Sequence, residues 1–351
     1  MSPPPTVEPL AYAPADVAQR LGPAWKETLL SAYRWMRLGR ALDARMQALQ
    51  RQGRVGFYGA ATGQEAVNVA AGLASGPDDW VFPGLREQLV ALVRGHSLVE
   101  YAHHLFADDE DPGRGRNMPC HPTAREVHYV SMSSVIGTQV SQAVGLAWAL
   151  RAKGSPGAAL AFFGDGATSA NDFHAGLNFG GVWSVPVVFC CTNNQWAISV
   201  PVSRQTAAPN LAAKAAEYGF PGERVDGTDF VAAFAALRAA LERTRAGGGP
   251  TLLEFVLFRM TAHSSSDDPS RYQPADWAQR AAAHDPVARL EGWMRATGLL
   301  TDASIAKIQE EAEGQVRAAV EVAETARSPT AGSLTEDVYA SPSSPTATRE
   351  A

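Results

Sequence analysis

At 351 residues with 46% of them hydrophobic, the chain can bury a sizeable core as one large or two modest domains. A net charge of −6 and a pI near 5.8, without Lys/Arg runs, exclude the electrostatic footprint of a nucleic-acid binder, and no apolar run approaches a membrane span. Three cysteines, Cys120 and the adjacent Cys190 and Cys191, fit neither a disulfide framework nor a zinc spacing, and read as core residues of a reducing compartment, the cytoplasm.

The opening MSPPPTVEPLAYAPA is proline-rich and lacks the basic start and apolar centre of a signal peptide, so it reads as an extended arm within residues 1–24. From Trp25 to Arg51, Leu38, Leu42, Met46 and Leu49 recur at helical spacing, with Gly53 as the cap. The glycine-rich GRVGFYGAATGQEA that follows carries two aromatics, Phe57 and Tyr58, expected to be exposed. In DWVFPGLREQ, Arg86 reads by itself as a solvated helix residue. The DDED and Gly113-Arg114-Gly115-Arg116 of residues 108–122 read as a solvated loop. Ser133-Ser134 reads as a turn and Thr138 as the N-cap of a helix whose Val140, Ala143, Val144 and Ala147 form one apolar stripe.

The densest stretch runs from Ala158 to Ser199. Apolar runs at Ala158–Phe163 and Val185–Cys191 have the length of buried strands and stop at Gly164-Asp165-Gly166 and Asn193-Asn194. Between them Asp172–Phe179 makes a helix that Gly180-Gly181 is expected to stop. A crossover of this kind sets the two strands parallel, and their carboxyl ends share one edge, where open parallel sheets bind ligands. Asp165 and Asn194 would both stand there. One carboxylate and one amide oxygen suit magnesium, and Gly166, Ala167, Thr168 and Ser169 at the helix entry offer N–H groups to a phosphate. Further on, Phe230, Phe234, Leu237 and Leu241 mark a helix ending at Gly247-Gly248-Gly249, Thr251–Met260 a third strand, and TAHSSSDDPSRYQ a loop at that strand's carboxyl end. Asp285–Thr325 reads as helical, and SPSSPTATREA, residues 341–351, as a disordered tail. The fold class is α/β: a doubly wound, mostly parallel sheet with helices on both faces.

The GDG opening and NN close, with FHAGLNF and NNQWAISVPVSRQT, resemble the thiamin diphosphate motif of the alpha subunit of the first component of 2-oxo acid dehydrogenases. The resemblance covers about Trp25 to Tyr339 and implies one thiamin diphosphate-binding domain over residues 25–340. It implies that Asp165, Asn194 and the Trp196 carbonyl hold Mg2+, and that Arg86, Arg259, Gly166, Ala167 and Ser134 contact the cofactor. The backbone near Ile136 would hold its aminopyrimidine, and Ser133, Thr138 and Gln139 a potassium ion. His263 would be the catalytic histidine at the cofactor's reactive end, Ser264 the position that kinases modify in mitochondrial relatives, and Phe57 and Tyr58 neighbours of the substrate side chain. The resemblance further implies a beta subunit that supplies the glutamate activating the aminopyrimidine, an α2β2 assembly, and a lipoyl acyltransferase that takes the acyl group from the 2-oxo acid. GRNMPCHP is similar to the branched-chain version of its loop rather than the pyruvate version. Relatives of this kind continue with one more segment at the end, which bears on subunit contacts.

Two rival readings stand beside this one. A pyruvate or acetoin enzyme keeps the fold and changes the substrate. A non-catalytic paralogue that only pairs with a beta chain is suggested by three departures from the family: Leu85 for a tyrosine, Thr192 for an arginine, and Ala170-Asn171 for Glu-Gly. A Rossmann dehydrogenase lacks its signature here, since no GxGxxG follows a strand.

Overall fold

The computed structural model describes residues 7–336. Its seven strands are β1 (Trp80–Phe82), β2 (Ala159–Gly164), β3 (Val187–Asn193), β4 (Trp196–Ala197), β5 (Val200–Pro201), β6 (Gly222–Asp226) and β7 (Thr251–Val256). Five of them form one sheet in the order β1-β2-β3-β7-β6, every pairing parallel, while β4 and β5 make a small antiparallel hairpin. Alternation along the strands shows why the sheet is covered twice. Leu160, Phe162, Val188, Cys190, Leu253 and Phe255 face a core shared with the helices Glu65–Ala74 and Phe230–Arg243. Their neighbours Ala159, Ala161, Phe163, Val187, Phe189, Cys191 and Leu252 face a second core shared with the helices Thr138–Ala152 and Asn171–Trp183. Parallel strands buried on both faces are apolar throughout, the pattern that made β2 and β3 readable. The doubly wound α/β class is the observed one.

The helix Trp25–Arg51 has the expected bounds, with Leu38, Leu42, Met46 and Leu49 all buried. Gly53 ends it at φ +73°, and the Arg54 N–H reaches back to the Leu49 carbonyl at 3.0 Å, a closure that a left-handed glycine permits. Five expectations change. The third strand stops at Val256 rather than reaching Met260. The arm is not extended throughout: Pro14–Leu21 is a helix with Val17 and Leu21 in the core, and Tyr12 donates to Asp229 at 2.7 Å. Gly180-Gly181 is no stop, for the helix runs on to Trp183; these glycines allow close packing, since a Cβ on Gly181 would lie 2.1 Å from the Tyr218 carbonyl oxygen. Thr138 is the first helical residue rather than the N-cap, which is Gly137 at φ +95°. Asp108 and Asp111 are not solvated: His103 and His104 hold them at 2.7 and 3.3 Å inside the loop. The helical region after Asp285 is two helices, Pro286–Ala296 and Asp302–Glu324, and the expected tail lies outside the described residues.

Candidate active site

The register places the ends of β2, β3 and β7 on one line: Gly164 pairs with Thr192, and Asn193 with Val256. Asp165 and Asn194 therefore leave the sheet side by side, and the segment after β7 brings His263 to the same edge. Gly84, Leu85, Arg86 and Glu87 arrive after β1. Together they wall a cavity of about 310 Å³ whose far side carries Ser133 and Ile136.

Charge in and behind this wall is unusual. Arg86 and Arg259 are buried, yet neither guanidinium has a carboxylate within 4 Å among the described residues. Arg86 donates instead to the carbonyls of Ala60 and His263, the latter at 2.6 Å. Arg259 donates to the carbonyls of Trp196 at 3.2 Å and Ile198 at 2.8 Å, and to the Tyr272 hydroxyl at 2.6 Å; its Nε has no partner. Burial, reinforced by Arg259, pushes the Arg86 guanidinium down to about 10. Burial with Arg86 and Arg259 nearby pushes the His263 imidazole down to about 4, so it is neutral at pH 7. Burial lifts the Asp165 carboxyl to about 6 and that of Glu87 to about 7. Two uncompensated cations favour an anion in the cavity, and a carboxyl raised by desolvation favours a cation beside it. Gln64 Oε1 and Trp196 Nε1, both in the wall, are buried without partners, as expected of groups that meet a ligand.

The expected residues divide by place. Arg86, Ser133, Ile136, Asp165, Gly166, Ala167, Asn194, Trp196 and His263 meet around the cavity. Gly166 is required there, because a Cβ would come within 2.7 Å of Ala197 Cβ. Gly166 and Ala167 belong to a separate 3-10 turn, Asp165–Ser169, and the α-helix begins only at Asn171. Arg259 stands behind the wall rather than in it, and the Trp196 carbonyl accepts its N–H. Ser134 is turned away and bonds the His121 ring at 2.6 Å. Thr138 donates to the Val135 carbonyl at 3.0 Å, while Gln139 donates to Phe162 O at 2.9 Å and leaves Oε1 unpartnered. Phe57 is half-buried, and Tyr58, expected to be exposed, is buried with its hydroxyl donating to Asp43 at 2.7 Å. Tyr58 and Ser264 border a neighbouring polar cavity of about 150 Å³. Arg86 is likewise buried, not solvated, because β1 pairs with β2 and carries it inward.

Residues 33–332 match the dehydrogenase E1 component family. The chain belongs to this family. A 3-methyl-2-oxobutanoate dehydrogenase subunit alpha of Mycobacterium tuberculosis is 43% identical over 277 residues, 78% of this chain and 72% of that protein. A 2-oxoisovalerate dehydrogenase subunit alpha of Bacillus subtilis is 38% identical over 310 residues, 88% and 94% of the two chains. The mitochondrial 2-oxoisovalerate dehydrogenase subunit alpha 1 of Arabidopsis thaliana is 37% identical over 318 residues, covering 90% of this chain and 67% of its own. Dehydrogenase E1 components depend on thiamin diphosphate, whose anionic tail suits a cavity walled by an unpaired arginine. Sequence reasoning passed over Glu87, Gln64 and Gln205. Glu87 follows Arg86 directly and Gln205 lies within NNQWAISVPVSRQT, so adjacency to motif residues was the available signal.

Proposed function

We propose that this chain is the alpha subunit of a branched-chain 2-oxo acid dehydrogenase, assembled with a beta subunit as α2β2 and serving a lipoyl acyltransferase. The observation that carries the reading is a buried arginine without an acid partner facing Asp165 and Asn194 across parallel strand ends. The branched-chain substrate is supported by the names of the relatives above. We take residues 25–340 as the thiamin diphosphate-binding domain, and the cytoplasm as its compartment; three free, buried cysteines suit a reducing environment. No helix among the described residues is long and apolar enough to cross a membrane.

In this reading Asp165 Oδ, Asn194 Oδ1 and the Trp196 carbonyl hold Mg2+, a hard cation that takes oxygen ligands and keeps positions for phosphate oxygens. The Trp196 carbonyl must then share or give up its bond from Arg259. Arg86, Arg259 and the backbone at Gly166 and Ala167 bind the diphosphate, with Ser134 as a further contact after its hydroxyl leaves His121. The backbone at Ile136 receives the aminopyrimidine, and Ser133, Thr138 and Gln139, with its unpartnered Oε1, supply a potassium site. Bound thiamin diphosphate supplies the electron sink that lets the 2-oxo acid lose carbon dioxide. His263, neutral at pH 7, hydrogen-bonds the reacting group and moves a proton as the acyl group passes to the lipoyl arm. Phe57 and Tyr58 back the substrate side chain, and Ser264 is the phosphorylation position.

Calorimetry on the complex with its beta subunit tests this. Thiamin diphosphate should bind with Mg2+, and Asp165→Ala or Asn194→Ala should abolish binding. Full-strength binding to the isolated alpha chain would contradict the shared site, and a kcat/KM favouring pyruvate over 3-methyl-2-oxobutanoate would reverse the substrate. No binding at millimolar cofactor would instead favour the non-catalytic paralogue.

A further inference from the structure

Asp165 is held by a side chain that lies outside the motif positions expected to bind the cation, and so is Asn193, the neighbour of Asn194, whose own amide oxygen accepts from the Trp196 N–H at 3.2 Å. Gln205 Nε2 donates to Asp165 Oδ2 at 2.8 Å, so Oδ1 is the oxygen that it leaves free. Gln205 follows the single helical turn Val202–Arg204, which comes directly after the β4–β5 hairpin.

Asn194 is directed from the other side. Glu254, in the middle of β7, is 1% exposed and has no cation within 4 Å among the described residues. An aliphatic side chain would be ordinary at such a position of a parallel sheet. Its Oε1 accepts from Asn193 Nδ2 at 2.7 Å and its Oε2 from the Ala212 N–H at 2.9 Å. Asn193 Oδ1 in turn accepts from the Gln195 N–H at 3.0 Å, and Gln195 Nε2 donates to the Leu257 carbonyl at 2.9 Å. Gln195 takes φ +73°, a left-handed conformation that a glutamine adopts only when its surroundings hold it there. Both neighbours of Asn194 are thus fastened toward β7, and Asn194 is the member of the turn that faces the cavity.

We propose that Gln205 and Glu254 are positioning residues for the divalent cation: Gln205 selects the oxygen of Asp165 that faces it, and Glu254, through Asn193, sets the direction of Asn194. The inference rests on Asp165 and Asn194 being the cation's ligands. Groups that orient metal ligands typically contribute about 10–100-fold in affinity. A purely structural role, Glu254 capping the turn Ala212–Tyr218 and Gln205 tying down a loop, would lower the melting temperature and leave cation affinity alone.

The test titrates Mn2+, a hard cation of similar ligand preference, into the assembled alpha–beta complex with thiamin diphosphate present, following free Mn2+ by electron paramagnetic resonance. Asp165→Ala is the control. Gln205→Ala and Glu254→Gln should each raise the Mn2+ Kd by about 10–100-fold while Tm moves little. Glutamine is the informative replacement for Glu254, because one end of its amide must present N–H to a donor. If Asp165→Ala leaves the Kd unchanged, the ligand assignment itself fails. If Asp165→Ala abolishes binding but both positioning variants stay within about threefold of wild type, well below the stated range, the proposal is overturned. Should Glu254→Gln not assemble, Asn193→Ser cuts the same tie from the other end, and an unchanged Kd there overturns the Glu254 half.

Discussion

Charge is handled in opposite ways at the helical side of the molecule and at the carboxyl edge of the sheet. On the helical side Arg40 grips Asp285 with two bonds of 2.9 and 3.0 Å and reaches the fully buried Glu65 at 2.7 Å, and Arg289 meets Asp226 at 2.7 Å. At the edge Arg86 and Arg259 are at least as deeply buried as Arg289 and find only carbonyls and a phenol. Desolvation opposes all four cations, but only the first two recover it from a carboxylate inside the protein. Paired charges fasten helices; unpaired ones mark where the fold leaves electrostatic work for a ligand.

The comparison breaks first at His263. Replacing it by alanine removes the neutral imidazole and should cut lipoyl-dependent turnover about 10²–10⁴-fold while cofactor binding persists. A loss within about threefold, far under that range, would return His263 to an ordinary loop residue.

Arg40 and Arg86 then provide a matched pair. Arg40→Met leaves the buried Glu65 without a cation, with only the Gly63 N–H as its partner, and should cost about 3 kcal/mol of stability, with the thiamin diphosphate Kd unchanged. Arg86→Met should do the reverse: Tm holds or rises as an unpaired buried charge disappears, and the Kd rises roughly 10–100-fold, the worth of one charge-assisted hydrogen bond. Equal effects of both variants on both measurements would erase the distinction.

A smaller effect lies in pH. Because the His263 pKa is depressed to about 4, its contribution to stability is complete above the ordinary histidine value of 6.5 and is lost as pH falls through about 4. An NMR titration of the imidazole should have its midpoint below 5, and Arg86→Met should move it upward by only part of the shift, since burial is the larger cause. A wild-type midpoint near 6.5 would mean that the edge is not desolvated.

Smallest is Leu85, which is half-buried in the cavity wall and would lie 3.4 Å from a Cβ at Gly59. Leu85→Tyr should tighten the cofactor about tenfold if the phenol reaches the diphosphate. Thr192, the other departure, donates to Phe163 O at 3.3 Å and to Glu87 at 3.5 Å, so its hydroxyl is engaged beneath the cavity. Unchanged or weaker binding by Leu85→Tyr would show that the pocket has been rebuilt around leucine.

The sequence by itself determined the elements whose physics is local: the helix Trp25–Arg51 with its glycine closure, the strands β2, β3 and β7 with their apolar runs, and the GDG and NN ends that mark the edge. Only the tertiary structure could find β1 and β6. The first is three residues long, too short to show a period, and the second is an edge strand with four of its five residues exposed, so each exists through its partner. The same holds for burial. Tyr58 and Arg86 look like surface residues in a chain of glycines and charges, and they are inside because Asp43, Ala60 and His263, distant in sequence, converge on them. Where a side chain's partner lies far along the chain, neither spacing nor composition carries the information, and packing decides.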